Sequence, residues 1–250
     1  MYQTIKVLIR VLFLGLVCIM ALPLSANHGL ATDTEAGSNM SSHHQHIALN
    51  HALGMTLEGY NLVILANMEM VRGIDKTVLE HGNMMIKNGT EMWNEIMSGT
   101  VMKGMHHGDK DPMKDPDMAY THKLAEKQML VIALLGRMSK GEMEYGMDVN
   151  HQVIILNHAL KMALEGANSI MLGEMDMARG IDRIAVEHGI TMLKNARALF
   201  NDTMSGMNMM NIHMGGTTPE SDEVMEYGHR LAEAELHVLA LLEEMPGINK

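Results

Sequence analysis

Cysteine is almost missing from this chain. Cys18 is the only one in 250 residues, and it lies in a segment that reads as removable. Lys6 and Arg10 give a short basic start, Val11 to Leu24 is almost wholly apolar, and Ser25-Ala26 supplies small residues for cleavage. This is the pattern of a secretory signal, residues 1–26, with an uncleaved signal anchor as the alternative. The apolar run is short for a comfortable membrane span, and no later run is long enough. Val17 before Cys18 and Ile19-Met20 after it do not match a lipid-attachment site. Cleavage after Ala26 leaves Asn27 as the N-terminus and removes the only thiol. The expected product is periplasmic or secreted, with neither disulfides nor thiolate metal sites.

Aromatic residues are scarce, with two phenylalanines and one tryptophan, so the usual bulky core formers are few. Basic residues are also in the minority. After the signal, 17 basic side chains face 30 acidic ones, a formal charge of −13. That balance argues against nucleic acid and anionic membranes as partners and favours cations. No stretch alternates with period two, so no strands are expected. A nucleophile elbow, a phosphate loop and a zinc-protease motif are all missing, and no catalytic residue is assigned. Oligomeric state has no signal in the sequence.

Methionine is abundant instead: 30 residues, 28 of them after the signal. Its flexible thioether fills irregular cores, and it is also a soft ligand that selects copper(I).

The second strong feature is a duplication. Shifted by 107 residues, His44–Met138 aligns without a gap on His151–Met245, with 46 of 95 positions identical. "LNHAL" recurs at Leu49 and Leu156, "RGID" at Arg72 and Arg179, and "EHG" at Glu80 and Glu187. Such self-similarity marks two copies of one structural unit. Each copy reads as three helices. In the first copy they span about His44–Val71, about Ile74–Ser98 after the Arg72-Gly73 punctuation, and about Met118–Met138. Residues 27–43 are polar and expected to be disordered, and residues 139–150 link the copies. The expectation is an all-α protein: two tandem three-helix repeats, 44–138 and 151–245, packed as a pseudo-twofold helical bundle.

Comparing the copies shows which residues both kept. Five of seven histidines and eight of 13 methionines of the first copy recur, against 10 of 21 Leu, Ile and Val positions. On the first helix His51, Met55 and Glu58 are spaced i, i+4, i+7 and share one face, with His158, Met162 and Glu165 as their counterparts. His81 and Met85 pair on the second helix, matched by His188 and Met192. Met118 and His122 pair on the third, matched by Met225 and His229. These faces also carry apolar residues, so the pairs are expected to converge on a metal site inside the bundle. The competing reading is a methionine-filled core with hydrogen-bonded buried histidines.

The segment after the second helix offers a separate donor set. Met97, Met102 and His106 recur as Met204, Met209 and His213. A glycine-rich loop has little core to fill, and two or three thioethers with an imidazole suit copper(I) or silver(I). Loop methionines that cap the bundle end are the alternative. Carboxylates near His81 and His122 suggest a di-iron site only loosely, because Glu-x-x-His spacing is lacking.

With an export signal, no later cysteine, Met/His pairs on helices and Met-rich loops, the chain resembles the periplasmic methionine- and histidine-rich copper-binding helical bundles of bacteria. The resemblance covers the repeated region. It implies copper sequestration or delivery in the cell envelope, with metal ions and other copper-handling envelope proteins as partners. A structural or partner-binding bundle and a metal-dependent oxidase are the other two readings.

Overall fold

The structure, a computed structural model, describes residues 36–98, 116–139, 147–205 and 223–245. The proposed signal and the loop positions Met102, His106, Met209 and His213 lie outside the described residues, as do the side chains of Met118 and Met225. The described residues form six helices and no strand. These are α1 (Ala36–Asn67), α2 (Asp75–Ser98), α3 (Pro116–Ser139), α4 (Met147–Glu174), α5 (Asp182–Ser205) and α6 (Glu223–Glu243). The chain is therefore all-helical, with three helices per repeat.

Helix α1 starts at Ala36, eight residues before the expected boundary, so part of the segment expected to be disordered is helical. Ser38–Leu53 contains neither glycine nor proline. A helix anchored by buried residues at Leu49 and beyond propagates backward at little cost, because only nucleation is expensive.

The α1–α2 and α4–α5 corners are built alike. Gly73 and Gly180 both have φ 87°, a left-handed conformation that glycine adopts without a Cβ penalty. The backbone N–H of Val71 donates to Asp75 Oδ1 at 3.1 Å, and that of Ala178 donates to Asp182 Oδ1 at 2.7 Å. "RGID" is thus a turn with its own carboxylate clasp.

Past each corner the helices run antiparallel in close contact. A Cβ built at Gly82 would lie 2.8 Å from Gly59 O, and one built at Gly166 would lie 2.8 Å from Gly189 O. Gly59–Gly82 and Gly166–Gly189 are the same pair shifted by 107 residues. The glycine of each "EHG" lets two helix backbones touch.

The repeats meet through their first helices, as a pseudo-twofold bundle requires. Asn50 Nδ2 donates to Asn168 Oδ1 at 3.0 Å, and Asn157 Nδ2 donates to Asn61 Oδ1 at 2.8 Å. Asn168 Nδ2 reaches Ile47 O, and Asn61 Nδ2 reaches Ile154 O, both at 3.4 Å. Adding 107 to one member of each bond and subtracting it from the other gives its symmetry mate. Low numbers pair with high ones, so α1 and α4 are antiparallel. Tyr120 Oη donates to Leu241 O at 2.8 Å, and Arg137 lies 5.6 Å from the Tyr227 ring centre, which joins α3 to α6.

The main core draws on both repeats. It includes Leu53, Leu57 and Leu135 from the first and Leu160, Leu164, Phe200 and Leu242 from the second. A smaller cluster of Leu49, Ala52, Trp93 and Ala125 lies within repeat one. No helix of the described residues is long and apolar enough to cross a membrane.

Candidate functional site

The helix-face pairs share faces as their spacing requires, but those faces do not look inward. His51, His81, His158 and His188 are exposed, while Met55, Met162 and Met192 are half-buried and Met85 is buried. The inward stripe of α1 is Leu49, Ala52, Leu53, Thr56, Leu57, Tyr60, Val63 and Ile64. His51 is two residues from Leu49, about 200° round the helix, and so falls outside that stripe.

Nor do the pairs of neighbouring helices meet. Gly59 beside Gly82 and Ala52 beside Gly89 set the antiparallel register, so His81 is level with about Tyr60. His51 is nine residues away on α1, about 14 Å along the axis at 1.5 Å per residue. The same offset separates His158 from His188. No group of three or more His, Cys, Asp or Glu side chains able to hold a metal occurs among the described residues. The convergent interior site expected from the sequence is therefore not formed by these four histidines.

The carboxylates have other partners. Lys161 Nζ pairs with Glu58 across the repeat interface and with Glu165 on its own helix at 3.8 Å. Glu80 faces Lys76 at 3.9 Å. Glu58 and Glu80 thus serve ion pairs, and the described residues do not assemble a di-iron carboxylate cage. His122 and His229 are half-buried on α3 and α6.

Met97 and Met204, expected beside a loop with nothing to pack on, lie on the last turns of α2 and α5. Met97 packs partly buried on the Leu49–Trp93 cluster, and Met204 packs on the main core. Ser98 and Pro116 are the described ends that flank the first Met/His segment; Ser205 and Glu223 flank the second.

The interior also holds polar groups outside the duplicated His/Met set. His46 is 4% exposed, and its Nε2 is 2.6 Å from Thr121 Oγ1. Its ring meets Tyr120 edge-on at 5.4 Å and the His43 ring at 6.5 Å. Burial first, and nearby His43 second, pull its pKa down to about 4. It is therefore a neutral imidazole at ordinary pH. Its Nδ1 has no hydrogen-bond partner among the described residues.

A ladder of amides runs through repeat one. Trp93 Nε1 donates to Gln128 Oε1 at 3.2 Å, and Gln128 Nε2 donates to Asn50 Oδ1 at 2.9 Å. Asn50 hands the chain on to Asn168. In repeat two the same positions are Phe200, Glu235 and Asn157. Glu235 is fully buried, and burial raises its pKa well above the usual carboxylate range. Both its oxygens and Asn157 Oδ1 are without hydrogen-bond partners among the described residues.

A sequence signal for these residues exists. Asn50, Asn157, Gln128 and Glu235 are polar residues on the apolar phase of their helices. Gln128 sits between Leu124 and Val131, and Glu235 between Leu231 and Val238. Identity between copies keeps Asn50 and Asn157 but misses the others, because His46 has become Val153 and Gln128 has become Glu235.

No protein-family model, curated protein or solved structure matches the chain.

Proposed function

We propose that this chain is an exported protein that binds soft monovalent metal ions, chiefly copper(I) and by the same chemistry silver(I). Its role is copper tolerance, storage or delivery in the cell envelope, with other copper-handling envelope proteins as donors or acceptors. That role follows from the resemblance to the periplasmic Met/His-rich copper-binding bundles.

One observation carries the reading. The buried core is built mainly from Leu, Ala, Val and Ile, and of the fifteen methionines whose side chains are described only Met85, Met171 and Met245 are buried. Twelve of the fifteen thus keep part of their surface exposed, although Met68, Met92, Met97, Met162, Met175 and Met204 also pack against the core. Methionine offers no advantage over leucine or a polar residue at an exposed helix position, whereas its sulfur is a ligand for soft cations wherever it is accessible. The donor sets are Met97, Met102 and His106 in repeat one and Met204, Met209 and His213 in repeat two. Thioethers suit an oxidising compartment, where thiolates would be lost to disulfides. Met97 and Met204 also pack on the core, so they would tie a loop site to the bundle.

The test is copper(I) competition against a chromogenic chelator with the purified full chain. Two or more tightly held ions per chain are expected, one set per repeat. No competition at any chelator concentration would overturn the proposal and leave a structural or partner-binding bundle.

A further inference from the structure

Repeat one carries a pair of imidazoles that the fold does not need. Residue 46 is a buried histidine bonded to Thr121. In repeat two the same two positions are Val153 and Gly228. Val153 is 3% exposed, so it fills the same kind of buried position with no polar atom to satisfy. Nothing lies within 4 Å of where a Cβ on Gly228 would stand. Both members of the His–Thr pair are absent from repeat two, where the buried position is filled by an apolar side chain. His43, one turn before His46, has become Asn150.

The geometry of the two rings has a further property. A ring-to-ring contact accounts for their proximity but leaves His46 Nδ1 buried and without a partner among the described residues. An unmet polar atom of this kind is destabilising and calls for an explanation. Tyr120 does not supply one, because its hydroxyl donates to Leu241 O. Residues 43 and 46 are i, i+3 neighbours on one helix face. Their ring centres are 6.5 Å apart, with planes inclined at 63°. Two metal–nitrogen bonds of roughly 2.0 Å in line, each nitrogen about 1 Å from its ring centre, put two imidazole centres about 6 Å apart. Low-coordinate soft d10 cations accept that arrangement.

We propose that His43 and His46 form a two-imidazole site for a soft monovalent cation, copper(I) or silver(I), at the start of α1. His46 binds through Nδ1. Its Nε2–H donates to Thr121 Oγ1, which fixes the tautomer and the ring plane as an outer partner of a ligating histidine does. Half-buried His43 is the entry side, and Tyr120 closes the site from α3. The site belongs to repeat one alone and is separate from the duplicated Met/His sets. It rests on the soft-metal reading above.

The test uses silver(I), a redox-inert stand-in for copper(I), added to the ¹⁵N-labelled full chain. Ring nitrogens of His43 and His46 should shift and show silver–nitrogen coupling. His43→Gln, a change at a half-buried position, should keep the metal-free melting temperature and hold one silver ion fewer. Methionine methyl shifts without movement of the His43 and His46 ring nitrogens would overturn this site and leave the general proposal standing. Absence of any silver(I) or copper(I) uptake would overturn both. An unchanged silver stoichiometry in folded His43→Gln would also overturn it, and that outcome does not depend on whether His46 variants fold.

Discussion

Gln128 and Glu235 hold the same position in the two repeats, and only Gln128 has hydrogen-bond partners there among the described residues. Gln128 bridges Trp93 and Asn50. Glu235 faces a repeat in which Phe200 offers no N–H, and Asn157 Oδ1 is itself unmet. A carboxylate reaching that oxygen as Gln128 reaches Asn50 would be repelled, while a neutral carboxylic acid could donate its O–H there as Gln128 Nε2 donates to Asn50. The raised pKa of Glu235 fits the neutral form.

Glu235→Gln should therefore stabilise the protein, increasingly so as pH rises. A folded-state pKa raised above the unfolded value contributes stability that is complete at low pH. It is lost as pH climbs from about 4.5 toward the folded pKa, by up to about 1.4 kcal/mol per pH unit. Denaturant unfolding at pH 5 and pH 8 checks this. The wild type should lose more stability than the variant over that interval, and equal losses would show that Glu235 titrates normally.

His46 acts in the opposite sense. Its pKa falls from 6.5 to about 4 on folding, so its contribution is full above pH 6.5 and is lost as pH falls toward 4. The loss should be about 3 kcal/mol. Between pH 4.5 and pH 6.5 the two groups oppose one another, and Glu235→Gln should unmask the His46 limb. His46→Val with Thr121→Ala, close to the pair found in repeat two, should fold and lose that limb. Melting curves of the metal-free variants at pH 4.5 and pH 6.5 decide the matter.

Gly82→Ala should be among the costliest small substitutions. Its Cβ would lie 2.8 Å from Gly59 O, a backbone atom that cannot move without separating α1 from α2. Overpacking of this kind costs about 1–3 kcal/mol. Gly73→Ala meets no atom within 4 Å, and its cost of about 1 kcal/mol comes only from the positive φ. Urea midpoints for the two variants should keep that order.

Replacing Met97, Met102, Met204 and Met209 together with leucine keeps apolar bulk and removes sulfur. Volume-conserving swaps of this kind cost less than about 1.5 kcal/mol each even in a core, and Met97 and Met204 are only half-buried. The variant should fold, yet hold fewer copper(I) ions than the wild type. Met68, Met70, Met175 and Met177 to leucine is the control. Met70 and Met177 are 50% and 47% exposed, on the turns after α1 and α4. Equal copper(I) stoichiometry in the quadruple variant and the wild type would count directly against the donor sets.

The sequence by itself determined the helical class, the three helices per repeat, the corner at Arg72-Gly73 and the pseudo-twofold pairing of copies. Each of these follows from local periodicity, a breaker residue or a duplication, all of which are written along one dimension. Shared helix faces were legible too: His51, Met55 and Glu58 do lie together. Which face turns inward was decided only by the tertiary structure, because α1 buries its stripe against helices from both repeats and leaves His51 at the margin. The axial offset of His51 and His81 likewise depends on glycine contacts between two helices, which no spacing within either helix reveals. The buried polar atoms were hidden for a related reason. His46 and Gln128 take their character from Thr121 and Asn50, which lie 75 and 78 residues away in the chain, and Glu235 takes its character from full burial, so only folding decides all three.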